Sequence, residues 1–311
     1  MGWKEVGRMK QKVSDYIADR IAQWGIRDVF TVTGGGAMHM NDSFGHHPKL
    51  HCTYQHHEQA CAMAAEAYAR MDNRMAAVCV TTGPGATNAI TGVLGAWMDS
   101  IPMLVFSRGR RDMPRQFRRA DFRFAAWAFR SVILFPVVAS ITKYAHMVIH
   151  PEDIRYHLEK ALYMAATGRP GPVWLDLPLD VQGAIIETES LRAYDPAENP
   201  EQRPQEILQE TIEKILDKIE ESHRPVLSPG NGVRLAGAIR EFHELVDVLG
   251  VPVVTGMSSV DALESDHPYF VGRSGGTGTR PGNFALQNSD VLLSIGNRQG
   301  FRTDWFPVSG L

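Results

Sequence analysis

Residues 78–107, VCVTTGPGATNAITGVLGAWMDSIPMLVFS, contain two apolar runs separated by a glycine turn and a helix-like segment. The first run ends at the turn GPGATN, and the second run is IPMLVFS. Neither run alternates polar with apolar residues, which is typical of strands that are covered on both faces. A buried strand, a crossover helix over 86–97 and a second buried strand predict a parallel sheet.

The same rhythm of strand, turn and helix continues on both sides of this stretch. Toward the N-terminus, VSDYIADRIAQWG predicts a helix capped at Ser14 and stopped at Gly25, and DVFTV predicts a strand before the turn TGGGA. A helix is expected over 58–71, where a strand-like run changes into the alanine-rich segment EQACAMAAEAYAR. After residue 150, PEDIRYHLEKALYMAAT predicts a helix and GPVWLDLP a strand.

A polar, proline-rich stretch, AYDPAENPEQRPQ, divides the chain into two domains. Beyond it, RPVLSPGNGV, VPVVTGM and SDVLLSIG repeat the alternating pattern. The sequence therefore predicts an α/β protein with two doubly wound, mainly parallel-sheet domains. The first domain is expected over 12–185, a linker over 186–203 and the second domain over 204–311.

The composition favours a soluble protein that binds small molecules. Its 311 residues are 44% apolar and 22% charged, which is enough for two globular cores. A net charge of −3 and a pI near 6.5 argue against nucleic acid or a membrane as the main partner. Cys52, Cys61 and Cys79 are expected as reduced thiols. Without a signal peptide or an apolar run of roughly 18 to 20 residues, the predicted location is the cytoplasm.

Three chain segments in the first domain are expected at the carboxyl ends of strands, where parallel sheets bind ligands. They are TGGGA at 33–37, Glu58 at the start of its helix, and TTGPGATN at 81–88. Each has a plain structural alternative, because glycine serves tight turns and a carboxylate at a helix start interacts favourably with the helix dipole. Together they predict one crevice.

Four motifs occur in a characteristic order: VFTVTGGGAMH, HHEQACAMAAEAYAR, the stretch 78–107, and TGRPGPVWLDLPLDVQ. They resemble the N-terminal, pyrimidine-binding domain of thiamine-diphosphate enzymes of the acetolactate synthase group. The resemblance covers 12–109 and 136–183 closely, and 204–298 more loosely as the Rossmann-like middle domain of that group. It implies a carboligase or decarboxylase of small 2-oxo acids, hence a transferase or lyase, that forms homo-oligomers.

The resemblance also implies roles for individual residues. Glu58 matches the carboxylate that hydrogen-bonds N1′ of the cofactor's aminopyrimidine, which then removes the proton from C2 of the thiazolium. Thr33, Pro84 and Asn88 match positions that line the pyrimidine pocket. His57 and Lys143 are assigned to substrate binding. The alternative for His57 is that it lines the cofactor pocket, and the alternative for Lys143 is a solvated surface lysine.

Cofactor anchoring is expected outside this sequence. The resemblance implies that thiamine diphosphate is held through Mg²⁺ by a third, diphosphate-binding domain that would follow residue 311, so the second domain over 204–311 is incomplete and the chain alone is expected to be inactive. FAD binds the middle domain of some members, but the lone glycine turn Gly230–Gly232 does not predict it. Thr33 and Gly34 replace a Tyr-Pro pair of the relatives closest to acetolactate synthase, which leaves the substrate open.

The histidines do not predict a metal site. Six of them lie between residues 39 and 57, but no pair has a clear ligand spacing with a third ligand nearby. The six residues are His39, His46, His47, His51, His56 and His57.

Residues 110–135 depart from the family pattern. They hold seven arginines and five phenylalanines but no glycine, whereas the family has a glycine-containing loop here. A basic amphipathic segment is the direct interpretation. If codons permitted by this sequence are chosen and read two bases out of frame, they encode a loop that resembles the family's. A pair of compensating frame errors is therefore the simpler interpretation of residues 110–135. The tail GFRTDWFPVSGL at 300–311 invites the same explanation.

Three functional hypotheses remain. The first is an acetolactate synthase-like enzyme represented by an incomplete chain. The second is a non-catalytic remnant, or a subunit of a split enzyme that needs a separate C-terminal partner. The third is a nucleotide-binding α/β protein, which is weakest because neither TGGGA nor PGNGV has the G-x-G-x-x-G spacing.

Overall fold

The computed structural model describes residues 10–108, 134–200 and 208–298. The chain forms two compact units, Met1–Arg203 and Pro204–Leu311. The predictions on residues 110–133 and on the tail 300–311 lie outside the described residues.

The first unit alternates strands and helices. Its strands are β1 (Lys10–Lys12), β2 (Asp28–Thr31), β3 (His51–Tyr54), β4 (Ala76–Cys79), β5 (Met103–Ser107), β6 (Tyr144–Met147), β7 (Pro172–Asp176) and β8 (Ile185–Glu187). Its helices are α1 (Val13–Trp24), α2 (Met38–His46), α3 (Glu58–Asp72), α4 (Pro84–Asn88), α5 (Ile90–Asp99), α6 (Leu134–Val138), α7 (Ile154–Ala166) and α8 (Leu179–Gly183).

Six strands form one sheet in the order β3-β2-β4-β5-β7-β6, and all neighbours are parallel. Every residue of β4, β5 and β7 is buried. The predicted α/β class with large parallel sheets is confirmed, because these strands lack polar alternation and are covered on both faces. β1 and β8, which no pattern in the sequence predicts, pair antiparallel outside this sheet.

Alternate side chains of each central strand point to opposite faces of the sheet. One face forms a core with α1, α2 and α7, in which Phe44 and Phe106 pack with ring centroids 5.7 Å apart. The other face is covered by α3 and α5. These two helices approach closely, since a Cβ on Gly92 would lie 2.6 Å from the Ala62 Cβ.

Two helix boundaries differ from the sequence expectation. Ser14 does not cap α1, because the helix begins at Val13, whose N–H donates to the Ala184 carbonyl over 2.9 Å. Gly25 ends α1 as expected, with a φ of 109°. The helix predicted over 86–97 is two helices, and the first begins earlier because Pro84 fits an N1 position, where no N–H is needed.

Residues 186–200, the first part of the predicted linker, belong to the first unit. Leu191 and Tyr194 are buried, and the Tyr194 N–H donates to Oε2 of Glu159 over 2.9 Å. Arg20 donates to Oε1 of the same carboxylate over 2.8 Å. A buried charge in α7 therefore fixes this segment.

The second unit is a smaller parallel sheet in the order β11-β10-β9-β12. Its strands are β9 (Pro225–Pro229), β10 (Val253–Thr255), β11 (Phe270–Arg273) and β12 (Val291–Ile295), and its helices are α9 (Gln209–Glu220), α10 (Asn231–Leu235), α11 (Ile239–Leu249) and α12 (Arg280–Asn288). Leu227, Phe242 and Val253 belong to its core. Within the described parts of both units, no helix has the length and apolar character needed to span a bilayer.

Candidate functional site

Glu58 occupies the first position of α3, directly after β3. The preceding residue, His57, is extended and caps the helix, since its Nδ1 accepts the Gln59 N–H over 3.1 Å. Placing a carboxylate in this first turn is favourable, because the N–H groups and the helix dipole attract negative charge. The local sequence thus holds Glu58 at the carboxyl edge of the sheet.

Asn88 fixes one oxygen of the Glu58 carboxylate. Its Nδ2 donates to Oε2 of Glu58 over 2.9 Å. Asn88 reaches this position from the end of α4, a helix whose entry needs Gly83 at a φ of 61°. Oε1 of Glu58 makes no hydrogen bond with any described residue. One carboxylate oxygen is therefore oriented by the protein, and the other is available to a ligand.

The two glycine turns meet around Thr81, which follows β4. A Cβ on Gly34 would lie 2.6 Å from the Thr81 Cβ, and a Cβ on Gly36 would lie 2.6 Å from Thr81 Oγ1. A Cβ on Gly85 would lie 2.6 Å from Thr81 Cγ2 and 3.1 Å from Oε1 of Glu58. Side chains at these glycines would collide with Thr81 or fill the space beside Glu58, so the turns form one cradle.

Cys61 lies one helical turn after Glu58 and is fully buried. Burial, followed by the negative charge of Glu58, raises the pKa of the Cys61 thiol to about 12. The thiol therefore stays protonated and unreactive near neutral pH. Among the small residues that follow Glu58, Ala62 and Ala65 are also fully buried and pack α3 into the fold.

The structure brings together most of the predicted site, but not all of it. Thr33 and Pro84 are exposed and flank the cradle on the two turns. Lys143 precedes β6, at the amino edge of the sheet, opposite the edge that carries Glu58. Its N–H donates to the Pro172 carbonyl over 2.8 Å, and its Nζ donates to the Thr167 carbonyl over 2.6 Å. Within one chain Lys143 is not part of the Glu58 site.

Two residues of the cradle had no assigned role in the sequence. Thr81 is the first residue of the segment TTGPGATN, and Gln182 is the last residue of the motif TGRPGPVWLDLPLDVQ. Gln182 is 1% exposed, and its Nε2 donates to the carbonyls of Gly36 over 3.0 Å and Leu177 over 2.8 Å. Only the fold reveals this bridge, because Gln182 and Gly36 are 146 residues apart.

Three of the clustered histidines interact with three different aspartates. His46 lies 3.0 Å from Asp42, His47 lies 3.1 Å from Asp19, and His51 lies 3.2 Å from Asp28. The described ranges contain no group of three or more His, Cys, Asp or Glu residues suited to a metal ion.

Comparison with known proteins accounts for this arrangement. The model of the N-terminal TPP binding domain of thiamine pyrophosphate enzymes matches residues 11–117, and the model of their central domain matches residues 212–308. The chain belongs to the thiamine pyrophosphate enzymes. It carries the N-terminal and central domains of this family, in that order.

Acetolactate synthases are among the proteins similar to this chain. The chain is 33% identical to acetolactate synthase 2, chloroplastic, of Zea mays over 292 residues, which are 93% of this chain and 43% of the maize protein. It is 34% identical to the probable acetolactate synthase large subunit of Methanocaldococcus jannaschii over 296 residues, 92% of this chain and 47% of that protein. It is 30% identical to the acetolactate synthase isozyme 3 large subunit of Escherichia coli over 297 residues, which are 93% of this chain and 49% of the E. coli protein. The chain spans less than half the length of these relatives.

The cradle of this chain has the hydrogen-bonding group and the open space that the pyrimidine end of thiamine diphosphate would need. Oε1 of Glu58 is an oriented hydrogen-bonding group, and glycine at position 85 leaves the space beside it open to a ring. Position 88 supplies an amide that fixes the carboxylate without adding charge. These features match a neutral heteroaromatic ligand better than a phosphate.

The glycine turn of the second unit does not present free N–H groups to FAD at Gly230 and Gly232. The Gly230 N–H donates to the Ile295 carbonyl over 2.8 Å, and the Gly232 N–H donates to the Gly296 carbonyl over 2.9 Å. A Cβ on Gly230 would lie 2.3 Å from the Gly296 carbonyl oxygen. A phosphate at this turn would need N–H groups that are already paired. The turn gives no support to FAD binding.

Proposed function

We propose that this chain is the cofactor-activating part of an acetolactate synthase-like, thiamine-diphosphate-dependent carboligase or decarboxylase of small 2-oxo acids. The observation that carries the proposal is the Glu58 carboxylate, oriented through Oε2 by Asn88 and open at Oε1 inside the glycine cradle. The similarity to acetolactate synthases supports the substrate class. The replacement of a Tyr-Pro pair by Thr33 and Gly34 leaves the individual 2-oxo acid open.

The residues of the chain divide the work of activation. When bound, thiamine diphosphate supplies a carbon nucleophile for the 2-oxo group. Glu58 would hold the aminopyrimidine of the cofactor through Oε1, by a hydrogen bond at N1′. Asn88 keeps the carboxylate in one orientation, which avoids reorganisation during the reaction. Thr33 and Pro84 would flank the ring. His57 caps α3 and so sets the direction of the helix that carries Glu58.

The proposal includes a partner for the exposed surface of α3 and α5. Met63 on α3, and Leu94, Trp97 and Met98 on α5, are each 38% to 58% exposed. Large apolar side chains clustered on two packed helices are typical of an interaction surface. We assign this surface to a second copy of the chain or to a C-terminal diphosphate-binding domain, which would also hold Mg²⁺. Cytoplasmic location stays a prediction of the sequence, and the maize relative is chloroplastic.

Complementation tests this function. The purified chain is mixed with the separately expressed C-terminal half of the E. coli relative, thiamine diphosphate, Mg²⁺ and pyruvate. We expect carbon dioxide release and acetolactate from the mixture, and none from the chain alone. The matched control replaces the chain by the corresponding N-terminal half of the E. coli protein.

The same assay separates the two hypotheses. Activity only in the mixture supports the enzyme, as an incomplete chain or as a subunit of a split enzyme. If the mixture is inactive while the control is active, the result would favour a non-catalytic remnant. Turnover by the chain alone would show that a separate diphosphate-binding domain is not required.

A further inference from the structure

We propose that Thr81 is a positioning residue whose methyl group, and not its hydroxyl, sets the Asn88 to Glu58 hydrogen bond. The inference deepens the proposed function and rests on it for its purpose, since the hydrogen bond matters for catalysis only if Glu58 activates the cofactor. The geometry itself is a property of the chain.

The side chain of Thr81 presents different atoms to different turns. Oγ1 faces the first glycine turn, at 2.8 Å from a Cβ placed on Gly34 and 2.6 Å from one placed on Gly36, whereas Cγ2 is farther from that turn, at 3.1 Å from the Cβ placed on Gly34. Cγ2 faces the second glycine turn, at 2.6 Å from a Cβ placed on Gly85. Real Cβ atoms do not tolerate such distances, so the Thr81 methyl lies directly against the Gly85 backbone.

The contact with Gly85 reaches Asn88 through α4. Residues three apart on a helix lie on the same side, so Gly85 and Asn88 move together when the helix shifts. Helix α4 has five residues, and its first turn is the part that Thr81 supports. Losing the methyl would open a gap under Gly85, into which the helix can settle. The Nδ2 of Asn88 would then move relative to Oε2 of Glu58.

Thr81 joins the second turn to the first turn, since its side chain meets both Gly85 and the turn Gly34–Gly36. The second turn is also joined to α3, through the hydrogen bond from Asn88 to Glu58. The first turn has a separate support, since Gln182 donates to the Gly36 carbonyl. The second turn is therefore more sensitive to a change at Thr81 than the first turn is.

Two nearly isosteric substitutions separate the two atoms of the side chain. Thr81→Ser keeps the hydroxyl and removes the methyl, whereas Thr81→Val keeps a methyl at that position and removes the hydroxyl. The readout is the side-chain amide signal of Asn88 in a ¹H–¹⁵N spectrum of the whole chain without cofactor. A hydrogen bond to a carboxylate shifts this signal downfield and slows its exchange with water.

We expect the Asn88 signal to keep its shift in Thr81→Val and to move upfield with faster exchange in Thr81→Ser. An unchanged signal in Thr81→Ser, or an equal change in both variants, would overturn the proposal. If Thr81→Ser does not fold, the proposal is tested in the parent chain. The proposal requires nuclear Overhauser effects from the Thr81 methyl to the Gly85 α-protons, and their absence would overturn the proposal. None of these readouts involves the cofactor, so a failure of the proposed function is scored separately by complementation.

Discussion

The Nδ2 atom of Asn88 lies 2.9 Å from Oε2 of Glu58, which joins the end of α4 to the first residue of α3 across 30 residues of chain. This contact links two of the three segments that the sequence predicts to share a crevice, the second glycine turn and the start of α3. It explains why an amide follows the second glycine turn at that spacing. A carboxylate held on one side can present its other oxygen in a fixed direction.

The first prediction concerns this pair. Asn88→Ala removes a donor to a charged, partly buried group and should lower the free energy of unfolding by about 1 to 2 kcal/mol. Urea unfolding of Asn88→Ala, Glu58→Ala and the double variant gives the coupling energy. We expect a favourable coupling on the order of 1 kcal/mol. Strict additivity of the two single effects would show that the contact contributes nothing.

The second prediction concerns pH. Burial raises the pKa of the Asp176 carboxyl to about 6 from its ordinary value of 3.8, opposed by the hydroxyl of Ser107. Because the folded state binds this proton more tightly, the stabilising contribution is complete below about pH 4 and is lost as the pH rises through 6. Ionised Asp176 then costs on the order of 2 to 3 kcal/mol.

Asp176→Asn should therefore stabilise the chain at pH 8 and have little effect at pH 4. Urea unfolding at both pH values measures this difference. Glu189→Gln, which removes an exposed charge in the same unit, is the control. An Asp176→Asn variant whose stability relative to the parent is the same at both pH values would contradict the assignment.

The third prediction concerns the buried carboxylate of Glu159, which interacts with Arg20, Arg155 and the Tyr194 N–H. Glu159→Leu removes the carboxylate that is paired with the buried Arg20 guanidinium and should cost about 3 to 5 kcal/mol. Arg20→Met combined with Glu159→Leu should cost less than the sum of the single effects. Limited proteolysis should detect cleavage near Tyr194 in Glu159→Leu, and a resistant segment would show that Glu159 does not hold it.

Much of this architecture was accessible from sequence, for identifiable reasons. Continuous apolar runs specified the strands β4, β5 and β7, and the alanine-rich segment after Glu58 specified α3. Short edge elements such as β1 and β8 carry no comparable pattern, because they depend on pairing with each other. The start of α1 was placed at Ser14 because capping residues are common there, whereas the Ala184 carbonyl takes that role.

The site was predictable only where its residues carry a chemical signal. Glu58 and Asn88 stand in recognisable motifs, and the fold brings them together. Thr81 and Gln182 act through contacts with glycines that are distant in sequence, so no local pattern marks them. Lys143 matched a family position, but the direction of β6 places it at the opposite edge of the sheet.

The fourth prediction concerns the apolar face on α3 and α5. Met63→Lys together with Leu94→Lys should reduce self-association of the chain, because both side chains are exposed on that face. Sedimentation velocity over a wide concentration range measures the change. Ile185→Lys, an exposed apolar residue on β8, is the control and should leave association unchanged. A parent chain that stays monomeric at all concentrations would mean that the face is not an interface.

The central claim, that Glu58 activates the cofactor, is tested most directly by exchange of the thiazolium C2 proton. The rate is measured by quenched exchange into D₂O with the chain complemented by the C-terminal half of the E. coli relative. Glu58→Gln keeps the shape of the side chain but cannot carry the carboxylate charge, so the rate should fall by roughly 100-fold or more. Glu152→Gln, an exposed change in the same unit, should leave it unaltered. Exchange at the parent rate in Glu58→Gln would contradict the account.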